Sequence, residues 1–166
     1  MGQCSFQPKG PADGAVPTYD VTTALRADAT VLHFPIRLPA LPAGWKANSG
    51  GRGSIEQGRT DAAGKRVSAV TSRVGYLAPS GMYVSLTQSD ADETALVQSI
   101  NTSVYPSGTQ EVNGVKWIVY QGGEGAEPVW TVRLGNPAGP AQLAITGAAG
   151  ADDFRTLAAA TQSQQP

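Results

Sequence analysis

The sequence predicts an α+β domain, a mostly antiparallel β-sheet of about six strands with helices packed on its faces. Three observations lead there. Apolar residues alternate in two stretches that fold back on themselves, residues 67–86 around Ala78-Pro79-Ser80-Gly81 and residues 109–120 around Asn113-Gly114. Helical stripes stand apart from these stretches, at Val21, Ala24 and Leu25, at Leu96, Val97 and Ile100, and at Phe154, Leu157 and Ala158. No strand–helix–strand crossover is forced until late in the chain, so hairpins set the sheet.

Taken in order, residues 1–19 read as a flexible tether. They are rich in Pro and Gly, show no helical or strand period, and hold the only cysteine, Cys4. Asp20 can cap a first short helix. Leu32 to Pro39 alternates apolar and other residues, and Pro35 and Pro39 confine it to an edge or an entry strand, where they would guard one side of the sheet. Pro42-Ala43-Gly44 then turns Trp45 onto a strand start. Residues 49–65 are polar and glycine-rich and read as a long loop.

Val70, Val74 and Tyr76 share one face of the next strand, as Met82, Val84 and Leu86 do after a turn with Pro and Gly at the positions a type I turn prefers. Ser89-Asp90-Ala91-Asp92 resembles a capping box ahead of the second helix. Asn113-Gly114 is the strongest two-residue hairpin signal, joining 109–112 to 115–120. Strands over 129–134 and 142–146 follow, and Asp152 and Asp153 suit the N-terminus of a closing helix. The domain so defined spans residues 20–160, with a disordered tail at 161–166.

Composition narrows the function classes. A chain of 166 residues suits one domain, and one cysteine excludes both an internal disulfide and a cysteine-based zinc site. Cys4 is a lipidation site, a juxtamembrane residue or a bystander; Gln3 is a poor lipoprotein-signal residue, which favours a transmembrane helix ahead of the domain. No stretch approaches the roughly 18 apolar residues of a span. A net charge of −1 argues against nucleic acid as partner. Residues 46–73 carry net +4 and residues 88–166 net −5, an asymmetry that solvated loops and helix faces explain as well as a charged partner does.

No catalytic constellation emerges. His33 is the only histidine, and no Gly-x-Ser-x-Gly elbow accompanies it. Asp90-Ala91-Asp92 opens like a calcium loop, but Ala95 and Asn101 stand where that loop needs Gly and Glu. A capped helix start explains the same acids. The glycine-rich runs at 50–53 and 122–125 lack phosphate-binding spacing, although Arg52 and Arg59 could help backbone amides of a 50–60 loop cradle an anion. Neither a cofactor nor a metal is called for. Aromatic residues give the one binding hint: Trp45, Tyr76, Tyr83, Trp117, Tyr120 and Trp130 all fall on predicted strands or their ends. Alternation sets Tyr83 opposite to Met82 and Val84, and Tyr120 opposite to Trp117 and Val119. Helices on both faces would bury them all; a single covered face would leave some as a patch for a peptide, glycan or lipid.

Phe34-Pro35-Ile36-Arg37-Leu38-Pro39 with Pro42-Ala43-Gly44-Trp45, the run Val74 to Asp92, and Glu127-Pro128-Val129-Trp130 with the Phe154 to Ala159 ending together carry a resemblance. From Cys4 to Ala160 the chain resembles an actinobacterial family catalogued as a domain of unknown function. Membership implies one N-terminal transmembrane helix and an extracytoplasmic domain; it assigns no catalytic residue. More loosely, the Pro-x-Gly-Trp entry, antiparallel sheet and closing Phe-x-x-Leu helix resemble the PsbP-like fold, used mostly by binding and assembly modules. Fold does not fix function. The expectation is a non-enzymatic binding module on the extracytoplasmic face of the bacterial membrane, held by a segment upstream of Cys4, with an envelope protein or a second copy as partner. The alternative is a carrier enclosing a small apolar ligand between sheet and helices.

Overall fold

The computed structural model describes residues 18–165; the leader over 1–17, with Cys4 and the tether expected there, lies outside the described residues. The order of elements is α1 (Val21–Val31), β1 (Lys46–Thr60), β2 (Arg66–Leu77), β3 (Tyr83–Ser89), α2 (Glu93–Ile100), β4 (Tyr105–Val112), β5 (Val115–Gln121), β6 (Val129–Asn136), β7 (Gly139–Gly147) and α3 (Ala151–Gln162). The strands form one antiparallel sheet in the order β1-β2-β3-β7-β6-β5-β4. This is the α+β architecture read from the sequence, with seven strands where about six were expected. Two meanders meet at its centre, where β3 pairs with β7, Leu86 opposite Ile145.

The strand pleat explains the layering. Val74, Tyr76, Val84, Leu86, Leu143, Ile145, Trp117 and Trp130 project to one face, where Leu25 of α1 and Phe154, Leu157 and Ala158 of α3 cover them in the larger core. On the other face, Ala69, Ala144, Val129 and Tyr120 meet Leu96 and Val97 of α2 in a smaller one. The tighter signals behave as their chemistry requires. Asp20 accepts from the Thr23 amide (3.1 Å) and hydroxyl (2.7 Å) at the start of α1. These bonds hold its carboxyl below the usual range. Asn113 and Gly114 take φ of +47° and +83°, the left-handed pair a two-residue hairpin demands.

Three local expectations are corrected. The 49–65 loop is instead most of the edge strand β1 plus a turn. Its polar side chains face water, and the partner strand β2 supplies the ladder, Gly51 opposite Arg73 and Gly53 opposite Thr71. The turn is made by Asp61, which accepts from the Ala63 and Lys65 amides at 2.9 Å. Residues 32–39 are not a strand and guard no edge. Their prolines lack donors, and the chain crosses the α1/α3 face in extended form. There Gln88 substitutes for a strand partner: its Oε1 accepts from the Arg37 amide and its Nε2 donates to the Arg37 carbonyl, both at 2.8 Å. The acids before α2 do not form a capping box. Asp92 occupies the N-cap without a side-chain bond, while Asp90 accepts from the Val70 amide at 2.8 Å and so serves the sheet.

The packed chain also runs past residue 160. Thr161 is fully buried, and Gln162 joins α3 to the β4–β5 hairpin, accepting from the Trp117 indole at 2.9 Å and donating to the Val112 carbonyl. Arg37 donates to the carbonyls of Gln162 (3.2 Å) and Gln164, closing the C-terminal end of α3 with a cation as the helix dipole favours. With no carboxylate partner among the described residues, its guanidinium is held below its ordinary pKa by desolvation.

Candidate functional site

The two faces of the sheet are finished differently. α1, α3 and the 34–41 segment close one of them, whereas α2 crosses only part of the other. Beside α2, β2 and β3 project Thr71, Arg73, Tyr83, Ser85 and Thr87 opposite to the apolar set of the larger core. A cleft of 310 Å³ lies there, between this polar patch, the C-terminal end of α2 (Ser99 to Asn101) and Glu127. Across Gly53, Thr71 and Arg73 it continues into a second, of 510 Å³, bordered by Gly51 and Tyr83.

Glycine makes the hollow. A Cβ at Gly51 would meet no atom within 4 Å, so that position is open space beside Arg73. At Gly75 a Cβ would collide with the Tyr83 phenol and the Ser49 hydroxyl; its absence lets the Tyr83 ring lie against the sheet. Arg73 stands between Gly51 of β1 and Thr87 of β3 in register. Its one bond among the described residues is a long one, 3.4 Å to the Ser85 hydroxyl. The ion pairs there are Arg52–Asp28 and Arg59–Asp90, so Arg73 has no carboxylate partner among the described residues. The Thr146 hydroxyl is occupied by the Pro128 carbonyl at 2.9 Å. The Thr71 and Thr87 hydroxyls bond to no described residue, and since no buried side-chain polar atom lacks a partner, they open into the cleft. An exposed guanidinium flanked by free hydroxyls can offer donors to an oxyanion.

The residues singled out from the sequence are placed as follows. Trp45 packs edge-on to Tyr76 (ring centroids 6.3 Å apart) and Trp130 to Phe154 (5.3 Å), while Trp117 is fully buried. All four belong to the larger core or its margin. Burial pushes the Tyr76 phenol well above its ordinary pKa. Tyr120 is on the opposite face, as alternation requires, but α2 covers it. Its hydroxyl donates to Glu93 at 2.7 Å, and burial, that bond and the Glu93 charge push it up to about 12. Tyr83 alone of these aromatics reaches the open face, where it borders the second, 510 Å³ hollow. Arg52 borders it, yet its guanidinium turns to α1 and pairs with Asp28, which also accepts from Ser72 at 2.5 Å. Arg59 pairs with Asp90 at 3.1 Å. The anion cradle expected from a 50–60 loop is therefore absent: the loop is a strand, and both its arginines are paired.

Arg73, Thr71, Thr87 and Glu127 escaped the sequence reading. The signal was there, in a strand pair whose second face carries Thr71, Arg73, Ser85 and Thr87 at alternate positions. His33 is exposed just after α1. Among the described residues no group of three or more His, Cys, Asp or Glu side chains could hold a metal ion, and no helix is long and apolar enough to cross a membrane. Between α3 and the sheet lie a 140 Å³ gap beside Trp130 and Phe154 and an open hollow of 270 Å³ against the β4–β5 turn.

The family model described as a protein of unknown function, DUF4245, matches residues 1–161. No curated protein and no solved structure matches the chain.

Proposed function

The chain belongs to the DUF4245 family, and we propose that this member is a binding module without catalytic activity that recognises its partner on the open face of the sheet. One observation carries the reading: beside α2, strands β2 and β3 present a guanidinium with no carboxylate partner among the described residues, and free hydroxyls, in an open cleft. A carrier encloses its ligand between sheet and helices, whereas the clefts beside α2 open to solvent, which favours a surface module.

The proposal includes an address, the extracytoplasmic face of an actinobacterial membrane, reached through a segment upstream of Cys4. The Pro- and Gly-rich composition of residues 1–19 and the resemblance of the whole chain support it. For the fold, the proposal extends to a PsbP-like arrangement, supported by the antiparallel sheet between the Trp45 entry and the Phe154–Leu157 helix. A second copy is a further candidate partner. It would pair through β1, whose outer edge has no strand partner over residues 49–55 among the described residues, rather than through β4, which carries Pro106 and a register shift.

Hydrogen–deuterium exchange of the domain, with and without a solubilised envelope extract from its own cells, tests the surface. Protection at residues 71–75 and 83–87 is expected; protection confined to α1 and α3 would overturn the reading. Cleavage of the native protein by protease added to wall-stripped intact cells tests the address, and resistance until lysis would refute it.

A further inference from the structure

Resting on the open face as the binding surface, we propose that the 310 Å³ cleft takes a zwitterionic ligand of amino-acid or dipeptide size, its carboxylate on Arg73 and its ammonium toward Glu127. The two ends of the cleft differ in sign. At the β2–β3 end the donors converge: the Arg73 guanidinium offers a planar fork of N–H groups that matches a carboxylate, and the Thr71 and Thr87 hydroxyls stand beside it with no bond among the described residues. Arg73 and Thr87 are directly opposite across the β2–β3 ladder, so donors from two adjacent strands face one oxyanion.

At the other end the groups are acceptors. Glu127 lines the cleft and has no ion-pair partner among the described residues. The C-terminal end of α2 arrives at Ser99 to Asn101, and a helix terminates there in partial negative charge. No basic residue lies in the last turn of α2 to offset it.

This polarity selects the ligand. A phosphate dianion on Arg73 would also face the Glu127 carboxylate and the negative end of α2. A simple cation at Glu127 would share the cleft with Arg73. A molecule carrying both charges a few bonds apart satisfies both ends. The cleft volume, at the lower bound of about 300 Å³ for small-molecule sites, limits it to a small one. Partial exposure of the site and screening by salt place the affinity in the weak range, where the signs of the charges decide selectivity.

The test is a backbone-amide NMR titration of the domain with glycylglycine, sodium acetate and methylammonium chloride at matched ionic strength. Glycylglycine should shift the amides of residues 71–74, 85–88 and 99–101 saturably, at concentrations at least tenfold below those acetate or methylammonium requires. Arg73→Gln should abolish the response. Glu127→Gln should weaken glycylglycine and strengthen acetate. Gly51→Phe is a second variant: a Cβ there meets no atom within 4 Å, so the side chain projects into the adjoining 510 Å³ hollow beside Arg73 and should weaken the response, with an unchanged urea midpoint as the check on the fold. Acetate binding as well as glycylglycine, or no saturable shift with any of the three, would overturn the proposal. Exchange protection of the open face by envelope extract, with no response to glycylglycine, would sink the zwitterion and leave the binding surface standing. Loss of both would remove the surface as well.

Discussion

Replacing Gln88 by Leu probes the least conventional joint of the fold. Gln88 is 1% exposed, and its amide satisfies both backbone groups of Arg37 at 2.8 Å. It therefore holds the extended 34–41 segment against the sheet as a neighbouring strand would. Leucine has similar volume but no polar atom, so the Arg37 N–H and C=O are left buried and unpaired at about 1–3 kcal/mol each. Apolar transfer of the new side chain offsets part of this, leaving a loss of about 3 kcal/mol. In a domain of this size that lowers Tm by about 6–12 °C. Gln142→Leu is the control. That side chain is equally buried, but its amide donates to the Thr131 hydroxyl, which keeps its own bond to the Leu143 carbonyl. The control should lose only about 1 kcal/mol. Urea unfolding with unchanged m-values gives both numbers. Hydrogen exchange should show faster loss at the Arg37 and Ala40 amides, the latter bonded to Ala160 of α3 at 3.2 Å. Equal losses for the two variants, with Arg37 still protected, would refute the reasoning.

Three further outcomes follow from the same geometry. Gly147 has φ +150°, and a Cβ there would strike the Tyr83 carbonyl across the β3–β7 pair; Gly147→Ala should cost more than about 3 kcal/mol by urea unfolding, and a loss below 1 would disprove the clash. The folded state keeps the Tyr120 proton up to about pH 12, against about 10 unfolded, so the stability this group contributes is complete below pH 10 and falls between 10 and 12. Tyr120→Phe should flatten that part of the stability–pH curve, and an unchanged slope would contradict it. The β1 edge should support a symmetric dimer at high concentration, seen by sedimentation, and Ser54→Lys should dissociate it through like charges across the strand pair; a wild-type monomer at millimolar concentration ends that idea.

Where one residue type determines the backbone, the sequence was legible. Asn113-Gly114 dictates its turn, Asp20 its cap, and the alternation of Val74, Tyr76, Val84 and Leu86 the hairpin and its buried face. Where a distant partner decides, local reading failed. Ser49 to Ile55 has little strand propensity and becomes strand because β2 offers a ladder. Leu32 to Pro39 has the alternation of a strand but not the donors, and Gln88, 51 residues away from Arg37, takes up its bonds. The site was half legible. Alternation put Tyr83 on the second face, but only the position of α2 decides that Tyr120 is covered and Tyr83 is not.

The polarity of that second face needs a reason, because β3 and β7 lie at the middle of the sheet. On the closed face they place Val84, Leu86, Leu143 and Ile145, with Gln88 the polar exception; on the open face Ser85, Thr87 and Thr146 sit beside Ala144. Valine in those places, beneath a longer helix, would bury more apolar surface at the centre of the fold. Thr146 and Ser85 serve the fold through bonds to the Pro128 and Thr146 carbonyls; the Thr87 hydroxyl makes no such bond among the described residues, and a binding face gives it a use, since stabilising changes at such sites commonly cost function. Thr87→Val separates the two explanations. The shapes are nearly identical, and the hydroxyl bonds to no described residue. Stability should therefore hold or rise by about 0.5–1 kcal/mol, while the glycylglycine response at Arg73 weakens severalfold. A fall of more than 1 kcal/mol, with the titration unchanged, would mean that the hydroxyl serves the fold and that the polar face is structural.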